Sequence, residues 1–290
     1  MKNARCFLFI VGISLAAGTA STLLSGAAPR QSVPDGRLAR ILAVTKVYCQ
    51  RLEKAALDFV CIEDIKEEIF NLPQIEPDVI LPGGLTTSWS FSYRVPRRGF
   101  VRTFVHDYQF IRKSGRSVEN RTLVKEDGIS RNEKNARLTT MTVRVENALF
   151  GLLGEARQPQ YDYRIAGEEI IKGQKALLVD AVPKPSFAGA HCNGRIWVLE
   201  GDASIVKIEW EQTSVGNFQI IRETAATLKA EPALVSVTEY EVVKNGIRFP
   251  SRDTTEESYV LKKDKKFVRS RTTILYKDYK FFTVETDVKF

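Results

Sequence analysis

The sequence predicts an α+β protein, mainly antiparallel β, arranged as a sandwich or a curled, barrel-like sheet. Three observations predict it. From residue 89 onward, β-rich runs follow one another at near-regular spacing, divided by turn dipeptides. One of those dipeptides, Asn245-Gly246, is the strongest short hairpin signal a sequence offers. A hydrophobic content of 43% with 10% aromatic residues is ample for a core.

The chain opens with Lys2 and Arg5, an apolar run from Cys6 to Gly18, and then small residues. That is the layout of a secretory signal. Gly18-x-Ala20 and Ser25-x-Ala27 both satisfy the small-x-small cleavage rule, so processing is expected after Ala20 or Ala27. The apolar run is short of the ~20 residues a helix needs to cross a bilayer. Cys6 precedes the apolar core rather than following it, which argues against lipidation there. An exported protein is expected, with residues 1–27 as the signal.

Residues 36–56 place Leu38, Ile41, Leu42, Thr45, Tyr48, Cys49 and Leu52 at three- and four-residue spacing. This is one apolar stripe on a helix, with Asp35 as its cap. In LDFVCIEDIKEEIF the side chains alternate, Phe59, Cys61 and Glu63 against Val60, Ile62 and Asp64, as in a strand with an acidic end. Three prolines and two glycines between 71 and 84 punctuate a loop. Strands follow around Trp89, Phe91 and Tyr93, then over GFVRTFVHDYQFIRK, and then over Arg121–Lys125 up to Asp127-Gly128. A short apolar helix is expected near 146–153, where Leu149, Phe150, Leu152 and Leu153 are packed together. The remainder reads as hairpins turning at Lys172-Gly173, Gly201-Asp202 and Asn245-Gly246. No break in composition demands a second domain. Residues 28–84 (helix, first strand and loop) and 85–290 (β domain) are expected to form one structural unit.

Cys49, Cys61 and Cys192 remain after processing, and in an oxidising compartment two of them can pair. A helix turning back along a strand would bring Cys49 and Cys61 together, so that disulfide is expected, with Cys192 left as a buried thiol.

Catalytic patterns are sparse. The two histidines, His106 and His191, stand without a G-x-S-x-G turn. His106 is mid-strand and reads as a face or core residue. His191-Cys192 lacks metal-ligand spacing, and neighbouring strand residues point to opposite faces. The carboxylate pairs Glu63-Asp64, Glu67-Glu68 and Glu168-Glu169 read as solvated strand ends. No catalytic residue, metal or cofactor is expected. The net charge of +8 falls to +6 without Lys2 and Arg5. Its basic clusters near 94–102, 112–116 and 262–271 read as solvated strand faces and turn tips. Nucleic acid is excluded by the absence of a reading motif. Apolar and aromatic residues stand out instead: Trp89, Phe91, Trp197, Trp210 and Phe218, with the Leu149-Phe150-Leu152-Leu153 segment.

The hairpin GRIWVLEGDASIVKIEW, residues 194–210, resembles the G-x-hydrophobic-W-hydrophobic, turn, hydrophobic-x-K-I-E pattern of outer-membrane lipoprotein-sorting proteins. A strand pair from Gly167 to Val182, ending at Pro183, and long terminal strands fit the same layout. The resemblance spans residues 85–290. It implies a curled, unclosed antiparallel sheet in the periplasm, its concave apolar face covered by the N-terminal helix and the short helix near 146–153. It further implies a protein that holds a lipid or the acyl chains of a lipoprotein without covalent chemistry. The candidate trough and lid are Trp89, Phe91, Leu149, Phe150, Leu152, Leu153, Trp197 and Trp210. The alternative use of such a fold is as an envelope sensor or interaction domain that binds a protein partner.

Overall fold

The computed structural model describes residues 36–55, 58–71, 98–113, 116–136, 152–186, 192–216, 218–244, 246–261 and 265–282, with backbone alone at 54, 55, 58, 112, 113, 116 and 117. The signal-like run, Asp35, the loop at 72–84, the Trp89 strand, most of the 146–153 segment and His191 lie outside the described residues.

Helix α1 spans Gly36–Ala55. Its buried stripe is the one the spacing dictates: Leu38, Ile41, Thr45, Tyr48, Cys49 and Leu52. Thr45 is tolerated on that stripe because its Oγ1 donates to the Ile41 carbonyl at 2.8 Å. The opposite side, with Arg40, Val44, Val47 and Arg51, is exposed. Arg37 pairs with Glu168 and Glu200, which ties the helix start to the sheet.

Strands β1 (Asp58–Ile69), β2 (Phe100–Lys113), β3 (Arg116–Glu126) and β4 (Ile129–Lys134) form the first half of the sheet. The second half begins with β5 (Tyr161–Ile171), β6 (Gln174–Pro183), β7 (Gly194–Leu199) and β8 (Ile205–Trp210). A second helix, α2 (Phe218–Thr227), intervenes before β9 (Glu231–Glu239). The hairpin β10 (Val242–Lys244) and β11 (Ile247–Phe249) stands apart as a two-stranded sheet. Strands β12 (Arg252–Val260) and β13 (Lys266–Phe281) complete the chain. The main sheet is antiparallel and eleven-stranded, in the order β4-β3-β2-β1-β13-β12-β9-β8-β7-β6-β5. The first strand therefore pairs with the last, and that seam joins the two halves. Strands β4 and β5 are the two ends, so the sheet is unclosed and the sandwich alternative is eliminated.

Register irregularities bend this sheet. They occur at Val60/Ile62, Val105/His106, Leu123/Lys125, Ile165/Gly167, Trp197/Val198 and Glu257/Ser258. A bulge adds a residue to one strand, which bends it and increases local twist. At the seam, Asp278 adopts a left-handed φ of 55°, where β13 gives two residues to one of β1.

Helix α1 packs against β5 and β11, and α2 against β9. The Tyr48 hydroxyl accepts from the Arg248 backbone N–H at 2.9 Å, locking α1 to the β10–β11 hairpin. In place of the expected helix end, Leu152 and Leu153 lie in a turn that leads to a single 3-10 turn at Gln158–Gln160. Gln158 holds that turn to α1 by donating to the Leu42 and Leu153 carbonyls, both at 2.8 Å.

Gly194 shows why the Trp-bearing hairpin begins with glycine. A Cβ there would lie 2.2 Å from the Glu209 carbonyl oxygen of the paired strand. Gly194→Ala is expected to cost roughly 1–3 kcal/mol in urea unfolding. Gly167→Ala, with nothing within 4 Å of its would-be Cβ, should stay within about 0.5 kcal/mol of wild type.

Candidate functional site

Period-two alternation decides what the inner face carries. Strand β1 buries Phe59, Cys61, Glu63, Ile65 and Glu67 on that face. The register then sets Phe59 beside Phe110 and Phe281, Glu63 beside His106 and Tyr276, and Glu67 beside Arg102 and Thr272. Two zones result.

One zone is aromatic. The Phe59 ring stacks on Phe110 at 5.5 Å between centroids and meets Tyr279 at 5.2 Å. Phe249, from the β10–β11 hairpin, closes on Phe281 at 4.6 Å.

The other zone is polar and, apart from the partly exposed Arg102, buried. Trp210, Ser236, Thr255, Thr272, Glu67 and Arg102 lie side by side across six strands. Ser236 and Thr255 share a hydrogen bond at 3.0 Å, and Arg102 pairs with Glu67. Trp210 Nε1 donates to Thr238 Oγ1 at 2.9 Å, and Thr238 in turn donates to Asp253 Oδ2 at 3.0 Å. Burial pushes the Asp253 carboxyl up to about 7, against the pull of its threonine donors.

Glu63 is fully buried, contrary to the solvated strand end expected of it. Arg121 answers it bidentately, Nε to Oε2 at 2.8 Å and Nη2 to Oε1 at 2.9 Å, while Nη1 reaches Glu119 at 3.0 Å. Burial raises the Glu63 carboxyl, and the guanidinium opposes that rise. The same guanidinium lies 4.5 Å over the Tyr108 ring. His106 is buried as expected, and burial, helped by the charge of Arg121, lowers its imidazole to about 4. It is therefore neutral at pH 7. Among the described residues the Tyr108 hydroxyl and His106 Nδ1 find no hydrogen-bond partner.

Of the residues singled out from the sequence, Leu152, Leu153 and Trp210 join α1 in the inner cluster. Trp197 does not. It lies across the sheet in a small separate cluster with Ala176 and Leu199. There its indole donates to Glu169 at 2.6 Å, and Lys207 Nζ sits 3.9 Å from the ring centroid. Trp89, Phe91, Leu149 and Phe150 lie outside the described residues. Sequence reasoning missed Glu63, Arg121, Tyr108 and Asp253 as site residues. The alternation that put Glu63 with Phe59 and Cys61 was the signal for the first.

The expected Cys49–Cys61 disulfide is corrected: both residues, and Cys192, are free thiols. Burial raises Cys49 to about 12 and Cys61 higher still, so the thiolate that oxidation requires is scarce. Cys61 also sits at the seam bulge within hydrogen-bonding reach of Tyr279, whereas Cys49 is buried on the core stripe of α1. Cys192 is only half-buried, less than expected.

Arg121→Leu would strand the Glu63 charge in the core, an expected loss of roughly 3–5 kcal/mol in unfolding at pH 7. The double variant Glu63→Leu/Arg121→Leu should recover most of it. For Asp253 the folded value, about 7, lies above the ordinary 3.8. Between those values the folded protein holds a proton that the unfolded chain releases, so this group removes stability as pH rises from about 4 to 7. Asp253→Asn should flatten that decline in thermal melts across the window. His106, lowered rather than raised, acts with the opposite sign and is unchanged in that comparison.

No protein-family model matches the chain, and no curated protein does. Among solved structures, a DUF1329 family protein from Desulfovibrio piger is similar at 10% identity and a TM-score of 0.43, covering 86% of this chain and 95% of its own. An outer membrane lipoprotein-sorting protein domain from Vibrio parahaemolyticus follows at 7% identity and a TM-score of 0.36, covering 86% and 93%. A LolA superfamily protein from Nitrosomonas europaea is similar at 12% identity and a TM-score of 0.33, covering 83% and 96%.

Proposed function

We propose that this chain is an exported, periplasmic binding protein that shelters an amphiphile on the inner face of its open sheet, a lipid or the acyl chains of a lipoprotein. The observation that carries the reading is the pairing of two zones on one buried face. Phe59, Phe110 and Tyr279 offer hydrocarbon-compatible surface. Next to them the face keeps two buried polar atoms, the Tyr108 hydroxyl and His106 Nδ1, with no hydrogen-bond partner among the described residues.

The physical requirement on such a protein is simple. Each methylene of an acyl chain left in water costs about 0.8 kcal/mol, so a long chain needs an apolar surface and no covalent step. In this reading α1, Leu152 and Leu153 form the cover, and Trp210 forms part of the wall. Trp89, Phe91, Leu149 and Phe150 are proposed lining on residue type alone. Trp197 has no part in it, because it belongs to the opposite face. Residues 1–27 serve as the export signal.

The test is native mass spectrometry of the full chain exported with its own leader and recovered from a periplasmic extract. Bound species of lipid mass should appear and be released by organic extraction. Phe59→Asp, which places a charge amid the aromatic rings, should empty the protein. Preparations that are consistently ligand-free and take up no fluorescent acyl probe would overturn the reading.

A further inference from the structure

Two unpartnered polar atoms on the inner face belong to one strand. Tyr108 and His106 are two residues apart on β2, so they share a face with their Cα atoms roughly 7 Å apart. Tyr108 is fully buried and His106 nearly so, and neither the hydroxyl nor Nδ1 has a hydrogen-bond partner among the described residues. A buried donor or acceptor left unpaired is costly, and folded proteins keep few of them. Two side by side mark a place for a partner that the described residues do not supply.

Their neighbours restrict what that partner is. Opposite Tyr108 stand Cys61 and Arg121, and opposite His106 stand Glu63 and Leu123. The guanidinium of Arg121 is already engaged by Glu63 and Glu119. An anionic head group would therefore find no unengaged cation among these groups and would meet two carboxylates. The imidazole supplies no charge either, because burial holds it neutral. What remains is a phenolic O–H that donates and a neutral ring nitrogen that donates in one tautomer. One register step away lie Phe59 and Phe110, where a hydrocarbon tail would continue.

We infer that Tyr108 and His106 form a recognition site for the uncharged carbonyl of an acyl ester, and that the protein selects esterified acyl chains over free fatty acids. This rests on the amphiphile-binding reading above and adds a ligand class to it. Tyr108 and His106 are binding residues in this account, and Arg121 is a positioning residue that acts through the Tyr108 ring.

The experiment is displacement of a fluorescent acyl probe from the full processed chain at pH 8, with monolauroylglycerol and laurate as competitors. The ester should displace the probe at concentrations at least ten-fold lower than the acid. In Tyr108→Phe and in His106→Phe that advantage should shrink several-fold while the response to laurate stays the same. Laurate competing as well as the ester, or either variant keeping the full preference, overturns this inference and leaves amphiphile binding standing. A probe that is not taken up overturns both, and a probe taken up but displaced by neither compound overturns this inference alone. Tyr108→Phe removes only an unpartnered hydroxyl, so ligand-free protein should melt at or above the wild-type temperature. A clearly lower melting temperature means the hydroxyl already has a partner, and the inference falls.

Discussion

Cross-strand register is the constraint on which the inner face depends. Side chains alternate with a period of two, so a one-residue slip of β1 would turn Glu63 outward and bring Asp64 in. Arg121 would then lose Glu63, His106 would meet a misplaced carboxylate, and Phe59 would leave its stack on Phe110. Burial of one face of so wide a sheet makes such a slip expensive at many positions together. The bulges do not contradict this. Each moves the register once, at a fixed place, and the faces on either side of it still agree.

Much of this arrangement was legible in the sequence. The three- and four-residue spacing from Leu38 to Leu52 located α1 and its buried side. Turn dipeptides located the hairpins at Lys172-Gly173 and Asn245-Gly246. Helix α2 escaped because its apolar side is carried by only Ile221 and Ala225 with Phe218, too few to stand out among strand signals. Trp197 and Trp210 looked alike in sequence, both flanked by β-formers. The hairpin register sets Trp210 opposite Gly194, three residues before Trp197, so alternation puts the two indoles on opposite faces, and neither strand alone reports that register.

Charge was the least legible property. Adjacent carboxylates such as Glu63-Asp64 resemble a solvated strand end, and nothing local reveals that Arg121, 58 residues away, will reach Glu63. The disulfide failed for a related reason. Placing a helix beside a strand in an oxidising compartment does not suffice for a disulfide, because thiolate formation decides reactivity and burial suppresses it at both Cys49 and Cys61.

The ionisable groups of the inner face obey one rule despite their different partners. Glu63 and Glu67 are buried and each is answered by an arginine, Arg121 and Arg102. His106 has no such partner, and burial keeps it uncharged at neutral pH. Asp253 has only threonine donors, and burial lifts it until it is protonated below about 7. Lone charges are therefore absent from this set of groups, and the ion pairs that bear the chain's visible charge lie outward, as Lys277 does with Asp64 at 2.6 Å. Such a face tolerates hydrocarbon next to polar groups because it presents dipoles and closed ion pairs rather than bare charge, whose transfer from water carries a far larger penalty.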